Sequence, residues 1–287
     1  MEKQLEALRQ RARQLKEKRS GYAEILDFYV KVKQAQDAIK ASLKVDLKRL
    51  EKQLRDRPTQ EGIALIQKED FPVDVEASIR LFHTLCRIGS AANPYMAEQV
   101  QNADTFFSNN PIDLEKLLTG GGKEQALEKV AAEIGFDRKI LSFLIHNSIR
   151  PSIEAGMERL CREIEPETWR KPHCPICGCS PALNLLKGEA GKRFSICSYC
   201  GCQWRIDRLS CAACGNMEQR SLQYFHAEGE DTCRIDMCDQ CRHYIKTIDY
   251  RNLEASDSCL EDLATLHLDV LALQKGYVRT SPNQWTA

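Results

Sequence analysis

Residues 174–200, CPICGCSPALNLLKGEAGKRFSICSYC, decide the fold of the C-terminal half. A Cys-x-x-Cys pair stands at each end, Cys174 with Cys177 and Cys197 with Cys200, and 19 residues separate the two pairs. Two cysteines at this spacing bind one ion when the backbone turns tightly between them, and a second pair completes a tetrahedral four-sulfur site. The gap suits one β-hairpin between two such turns, close to a recognised zinc-site spacing.

Two further pairs follow, with 23 residues between Cys214 and Cys238. The order predicts two sites, each built from consecutive pairs. Site one would contain Cys174, Cys177, Cys197 and Cys200, and site two Cys211, Cys214, Cys238 and Cys241. An interleaved pairing stays open. The choice between iron and zinc also stays open, because both ions accept four thiolates.

Glycine follows three of the four pairs directly, at Gly178, Gly201 and Gly215. A turn that points its N–H groups at sulfur needs a positive φ at this position, which glycine adopts without strain. The glycines therefore support metal-binding turns. Cys179, Cys202 and Cys233 lie near the sites but outside the pairs, and we do not predict them as ligands.

The composition limits the function classes. The chain has 287 residues, of which 43% are apolar, and 41 Lys and Arg balance 41 Asp and Glu. From Lys171 to Tyr250 there are ten basic and nine acidic residues. A nucleic-acid binder usually carries a basic excess, because neutralising phosphates drives its affinity. We therefore expect no nucleic-acid partner.

The cysteines point to a reducing compartment. The first residues, MEKQLEALRQRARQLKEK, are charged and contain no apolar signal-peptide core. No uncharged apolar stretch approaches the length of a membrane span. We expect a cytoplasmic protein without membrane insertion, in which cysteines serve metal binding or redox chemistry rather than structural disulfides.

Cysteine density marks the domain organisation. Eleven of the fourteen cysteines fall between Cys174 and Cys241. The predicted fold class is an N-terminal all-α domain, a tandem rubredoxin-like or zinc-ribbon domain of short strands, and a C-terminal helix. The predicted bounds are 1–165, 171–250 and 251–287, and the stretch 163–173 is predicted to be the linker.

Apolar periodicity predicts the helices. One long helix, continuous or with a kink, is expected from Tyr22 to Arg55, and another from an N-cap at Asp74 to a stop at Gly89. Pro151 is expected to begin the last helix of the N-terminal half, because proline suits a first turn. One continuous helix is expected before Gly276, followed by a polar tail.

Catalytic machinery is not visible, since the sequence contains neither HExxH nor GxSxG. We therefore predict that the protein is not an enzyme. Trp204, Arg208, Tyr224 and Phe225 lie between and beside the two sites. They form either the core of a thin domain or a partner surface, for which Trp, Tyr and Arg are favoured anchors.

Three classes of function fit these features. A domain cross-linked by metal ions, next to a helical domain, fits a protein-binding module or a maturation factor. A double zinc ribbon that binds nucleic acid or serves as a general interaction module is an alternative. A thiol redox protein is a second alternative, but a redox Cys-x-x-Cys usually occurs once and in a βαβ setting.

Residues 172–283 resemble a known family. The segments CPICGCSP, RFSICSYCGCQWRIDRLSCAACG, CDQCRHYIKTID and CLEDLATLHLDVLALQKGYVRTSPN occur in this order. Together they resemble the FdhE-type formate dehydrogenase accessory proteins. The resemblance is looser in the N-terminal half, where YAEILDFYVKVKQAQDAI is similar to the family's first long helix and KEKRSGYAE lacks the family's His-Pro.

The resemblance implies a function that the composition does not show. It implies a cytoplasmic helper that binds the catalytic subunit of a molybdenum- or tungsten-dependent formate dehydrogenase and is needed for its activity. It also implies two metal sites that bind iron in a rubredoxin-like manner, with the eight paired cysteines as ligands. The expected cofactors are therefore two metal ions, iron or zinc.

Overall fold

A computed structural model describes residues 2–46, 48, 50, 62–120, 124–251, 253 and 256–285. The chain divides into two compact units. The first contains the described residues of 1–57, 68–159 and 284–287, and the second contains those of 58–67 and 160–283.

Helices build the first unit. They are α1 (Glu2–Lys18), α2 (Ala23–Lys40), α3 (Val75–Ser90), α4 (Pro94–Asn109), α5 (Pro111–Thr119), α6 (Glu124–Ile134) and α7 (Arg138–Leu160). The Asp74 side chain accepts a hydrogen bond from Ala77 N, so the predicted N-cap of α3 is confirmed. None of the helices in the described ranges is long and apolar enough to cross a membrane.

The helix predicted from Tyr22 to Arg55 is shorter than expected. It ends at Lys40, where the Ser42 hydroxyl donates to the Ile39 carbonyl. The Lys44 N–H donates to Asp74 Oδ2 at 2.7 Å, not to the carbonyl four residues earlier. Both bonds compete with continuation of the helix. Residues 47, 49 and 51–61, which include the rest of this prediction, lie outside the described residues.

Pro151 does not begin a new helix. It lies inside α7, where it cannot donate to the carbonyl of Asn147 one turn earlier. The buried Gln36 of α2 supplies the missing donor, since its Nε2 lies 3.0 Å from Asn147 O. The helix therefore continues because a residue 111 positions away satisfies the orphaned carbonyl.

The polar tail predicted after Gly276 contains an apolar anchor. Trp285 belongs to the first unit, where its ring meets Tyr29 at 4.7 Å and Phe143 at 5.2 Å between centroids. Both contacts are edge-to-face, the arrangement favoured by aromatic quadrupoles. The end of the chain thus contributes to the helical core.

One sheet organises the second unit. Its strands are β1 (Pro181–Lys187), β2 (Lys192–Cys197), β3 (Gln203–Arg205), β4 (Leu222–Phe225), β5 (Cys233–Cys238), β6 (His243–Asp249) and β7 (Val278–Arg279). The order is β3-β2-β1-β6-β5-β4, and β7 pairs with the start of β6. All neighbours are antiparallel except β1 with β6 and β6 with β7, which are parallel.

The sheet is an internal repeat. In each half a cysteine pair precedes a strand, a second strand returns to the next pair, and a third strand follows. We call these halves ribbon one (residues 174–205) and ribbon two (residues 211–249). The parallel pairing of β1 with β6, from Leu183–Lys246 to Leu186–Asp249, joins the two ribbons into one sheet.

The C-terminal segment forms two helices, α8 (Ser258–Leu263) and α9 (Leu266–Gln274), not the single helix expected. The break has a physical cause. Lys246 Nζ donates to the Asp262 carbonyl at 2.8 Å. In a continuous helix this carbonyl would accept from the N–H of Leu266. Thr265 Oγ1 also bonds the Glu261 carbonyl at this point.

A buried ion network fixes these helices on the sheet. The fully buried Lys246 ammonium lies 2.8 Å from Asp262 Oδ1 and 2.7 Å from Asp269 Oδ2. Arg279 contacts the same two carboxylates at 2.7 and 2.9 Å. Tyr244 donates to Asp269 at 2.8 Å. Removing one of these four charges would leave one excess charge in the core without compensation, which is strongly destabilising.

The predicted fold class is confirmed. A helical N-terminal region precedes a small sheet that carries the cysteine pairs, and helices close the chain. The sheet's core face contains Leu185, Ile235 and Ile248, together with Leu268 and Ala272 of α9. The ribbons therefore share one apolar core.

We predict that Gln36→Leu destabilises the helical unit by about 1–3 kcal/mol, because it leaves the buried Asn147 carbonyl without a donor. In a Pro151→Ala background the same change should cost less, since the restored N–H can donate to Asn147. A double-mutant cycle of chemical denaturation followed by circular dichroism at the helix band measures the coupling. Equal costs in both backgrounds would refute this account of Pro151.

Candidate metal centres

Each cysteine pair is held by the same kind of turn. In the first, Ile176 N lies 3.4 Å from Cys174 Sγ, and Gly178 N donates to the Cys174 carbonyl at 3.0 Å. Cys174 N in turn donates to the Cys179 carbonyl at 3.0 Å. The turns after Cys197 and Cys211 repeat these bonds. Short turns thus point backbone N–H groups at sulfur.

The residue after each pair takes a left-handed conformation. The φ values are 72° for Gly178, 76° for Gly201 and 75° for Gly215. The fourth turn has Arg242 at this position, with φ 59°. Its guanidinium bonds Asp239 at 3.2 Å and lies over the Tyr277 ring at 4.1 Å, contacts that compensate the backbone strain.

The structure brings the eight paired cysteines into two clusters in chain order. In cluster one, Sγ–Sγ distances are 3.6 Å for Cys174–Cys200, 3.4 Å for Cys177–Cys197 and 3.7 Å for Cys177–Cys200. In cluster two they are 3.7 Å for Cys211–Cys241 and 3.9 Å for Cys214–Cys238. Within each cluster all four sulfurs lie within 4.8 Å of one another.

These distances fit a tetrahedral metal ion. Four sulfurs about 2.3 Å from a central ion are about 3.8 Å apart from one another. The five Sγ–Sγ separations given above, 3.4–3.9 Å, lie close to that value. Four thiolates in this arrangement suit zinc or mononuclear iron, so each cluster can hold one ion.

Burial disfavours the charged thiolate form of the cysteines, so a nearby cation is needed to stabilise it. Desolvation raises the pKa of the Cys174 and Cys200 thiols well above the ordinary value. In cluster two, burial also opposes ionisation of Cys238. Hydrogen bonds from the backbone of Cys241 and Gln240 and from Asn216 outweigh it and lower the Cys238 pKa to about 7.

The two clusters differ in exposure. Every cysteine of cluster one is buried, and Cys174 and Cys200 are 0% exposed. In cluster two Cys214 is exposed and Cys241 is half-buried. An ion in cluster one would therefore be sealed within the unit, while one in cluster two would be open to solvent on the Cys214 side.

The cysteines outside the pairs lie close to cluster one or in the core. The sulfurs of Cys177 and Cys197 raise the pKa of the Cys179 thiol far above its ordinary value. Cys202 Sγ lies 3.9 Å from Cys161 Sγ. Cys233 belongs to the apolar core, where burial raises its pKa to about 12.

A segment distant in sequence supports the first turn. Leu65 N donates to the Pro175 carbonyl at 3.0 Å, and Ile66 N donates to the Ile176 carbonyl at 2.9 Å. Ile66 is buried. Sequence reasoning missed this support, because no local pattern links residues 62–67 to the cysteines. The stretch after Pro166 also contacts the sheet, through Arg205 N and the Pro166 carbonyl.

The aromatic and basic residues singled out from the sequence take different places. Trp204 is completely buried, and its indole N–H donates to the Lys171 carbonyl at 3.0 Å. Phe225 packs against the core of the sheet. Tyr224 and Arg208 are exposed. The core interpretation therefore applies to the first two, and the surface interpretation stays open for the others.

Comparison with known families and proteins identifies the cysteine-rich unit. Residues 173–208 match "FdhE, central domain", and residues 209–285 match "FdhE, C-terminal domain". The boundary at 208/209 separates ribbon one from ribbon two. Each matched domain thus contributes one four-cysteine cluster.

Similar proteins extend the match to the N-terminal half. A protein FdhE homolog of Aquifex aeolicus is 28% identical over 216 residues, which cover 73% of this chain and 70% of that protein. A homolog of Stutzerimonas stutzeri is 34% identical over 126 residues, 42% of this chain and 39% of that protein.

A solved structure shares the fold. The crystal structure of the FdhE protein from Pseudomonas aeruginosa superposes with a TM-score of 0.64, covering 98% of this chain and 96% of that chain, at 20% sequence identity. At this identity the likeness shows the architecture alone. The part of the chain from residue 173 to residue 285 therefore consists of the central and C-terminal domains of the FdhE family.

Proposed function

We propose that this protein is an accessory factor that binds the catalytic subunit of formate dehydrogenase in the cytoplasm and is needed for that enzyme's activity. The observation that carries the proposal is the pair of four-cysteine clusters in the two FdhE domains. A sheet with two clusters that can each hold a cross-linking ion suits a rigid binding platform.

The eight paired cysteines would hold two metal ions, one in each cluster. Zinc would supply a structural cross-link between two turns. Rubredoxin-like iron would supply the same cross-link and a one-electron couple. In either case the backbone N–H groups directed at sulfur stabilise the thiolate charge, which favours metal binding at neutral pH.

The protein's part in maturation would be binding rather than catalysis. It would hold the immature subunit until the cofactor of that subunit is inserted. The balanced charge, ten basic against nine acidic residues from Lys171 to Tyr250, disfavours nucleic acid as the partner. Retention on a nucleic-acid column at low salt would argue for the zinc-ribbon alternative.

The exposure of Cys214 favours a second candidate, redox action at cluster two. An iron–thiolate centre that solvent or a partner can approach exchanges electrons more readily than a sealed one. Anaerobic preparation would then give a coloured protein that a mild reductant bleaches. A colourless, zinc-filled protein that still supports formate dehydrogenase activity would exclude this role.

We predict that cluster two loses its ion first. A chelator should remove metal in two phases of one ion per chain each, because Cys214 is exposed and cluster one is buried. Metal analysis of samples withdrawn over time measures both phases. The Cys214→Ser protein should contain one ion and show only the slow phase. A fast phase retained in this variant would contradict the assignment.

We predict different outcomes for a ligand and for its unpaired neighbour in cluster one. Cys174→Ser should unfold the cysteine-rich unit and so release its metal, while the circular dichroism of the helical unit persists. The matched control Cys179→Ser should keep two ions, since Cys179 lies outside the four-sulfur cluster. Metal content and thermal melting test both variants. Two ions in Cys174→Ser would argue against cluster one as a metal site.

We predict that anaerobic purification from the native cytoplasm recovers the catalytic subunit of formate dehydrogenase with this chain. Mass spectrometry identifies the partner, and metal analysis of the same eluate reports the ions. The control is the Cys200→Ser protein, which should lose the partner if the folded cysteine-rich unit binds it. Recovery of RNA, DNA or no partner by the metal-loaded protein would reject the proposed function.

A further inference from the structure

A cavity of about 290 Å³ adjoins cluster two. Its floor contains Tyr224, Asp236 and Ile245, which are register partners on β4, β5 and β6. One wall is the loop of residues 208–213, which leads into the third cysteine turn. Cys211 and Cys238 of cluster two also line the cavity, so an occupant would lie directly beside this cluster.

The wall of the cavity is held in place before any ligand binds. Arg193 of β2 is buried, and its guanidinium donates to the Ser210 carbonyl at 2.7 Å and to Asp236 Oδ2 at 3.0 Å. Asp236 also accepts from the Thr247 hydroxyl at 2.6 Å. A wall fixed in this way lowers the ordering cost that a ligand would have to meet.

The cavity presents a guanidinium without a partner. Arg193, Arg208 and Arg234 line it, against the single carboxylate of Asp236. That carboxylate is already engaged, by Arg193 and by Arg234 Nε at 2.8 Å. Across the described part of the chain, no carboxylate or hydrogen-bond acceptor engages the Arg208 side chain, which is exposed. A carboxylate of a bound ligand would supply the Arg208 guanidinium with a charged hydrogen-bond partner.

Apolar side chains border the same opening. Leu209 is 57% exposed and Tyr224 is 63% exposed, although both line the cavity. The Arg234 guanidinium lies 4.8 Å from the centre of the Tyr224 ring and orients it by a cation–π contact. An oriented aromatic ring and the exposed Arg208, which line the same cavity, have the composition of an interface anchor.

We propose that this cavity binds an extended acidic segment of the partner subunit, with an Asp or Glu carboxylate on Arg208 and an apolar side chain between Leu209 and Tyr224. The proposal rests on the proposed function and specifies its docking site. The excess of arginine over carboxylate in the cavity lining favours an acidic residue in the bound segment. The volume selects an extended segment, because about 290 Å³ is at the lower limit of ligand pockets and admits one or two side chains.

The test compares two charge reversals in the full-length, metal-loaded protein. Arg208→Glu should reduce the co-purified formate dehydrogenase subunit at least tenfold while two ions per chain and the melting temperature are retained. The matched control Lys192→Glu makes the same charge change at another exposed position of this unit and should capture as much subunit as the wild type. Full capture by Arg208→Glu would overturn the docking site but leave the proposed function standing.

A photo-crosslinking residue in place of Leu209 identifies the occupant. Crosslinks to a segment of the formate dehydrogenase subunit that contains Asp or Glu would support the proposal. Crosslinks only to a neutral or basic segment, or to a second copy of this chain, would overturn it. Displacement of the subunit by millimolar inorganic phosphate would do the same, since the cavity would then be a general anion site. Failure of the wild type to capture any subunit would reject the proposed function and this inference together.

Discussion

The crowding of four sulfurs into each small ribbon is the constraint on which the cysteine-rich unit depends. Two turns of nearly identical geometry approach from opposite ends of a hairpin, and all four of their sulfurs lie within 4.8 Å of one another. Without a cation, such sulfurs would be buried, close together and poorly solvated, and burial already raises the pKa of Cys174 and Cys200. An ion converts this unfavourable contact into the cross-link that a thin sheet needs, because so small a unit buries little apolar surface for its length.

The parallel pairing of β1 with β6 makes the two ribbons one body. The pairing gives both ribbons a common core face, on which α9 packs. Lys246 of β6 connects this face to α8 and α9 through its ion pairs with Asp262 and Asp269. The two clusters have different environments. Leu65 and Ile66 bond the first cysteine turn, whereas Cys214 of the third cysteine turn is exposed.

Local patterns predicted the class of fold and the composition of both clusters, because cysteine spacing and glycine position are short-range signals. The predictions that were wrong depend on hydrogen bonds between residues that are distant in the sequence. Pro151 marks a helix start by local rules, but the donor that lets α7 continue is Gln36. The break between α8 and α9 depends on Lys246. Alternation along β4 places Tyr224 and Phe225 on opposite faces, yet only the packed sheet shows which face is buried.

The strand order has a consequence for solubility. The path from β3 to β4 places its two shortest strands, of three and four residues, at the two ends. The longer strands β1, β2, β5 and β6 lie inside, and each has a neighbouring strand on both sides. Within the described sheet, little unpaired backbone is therefore available for another chain to extend. Short edges of this kind limit edge-to-edge aggregation and β-sheet polymerisation.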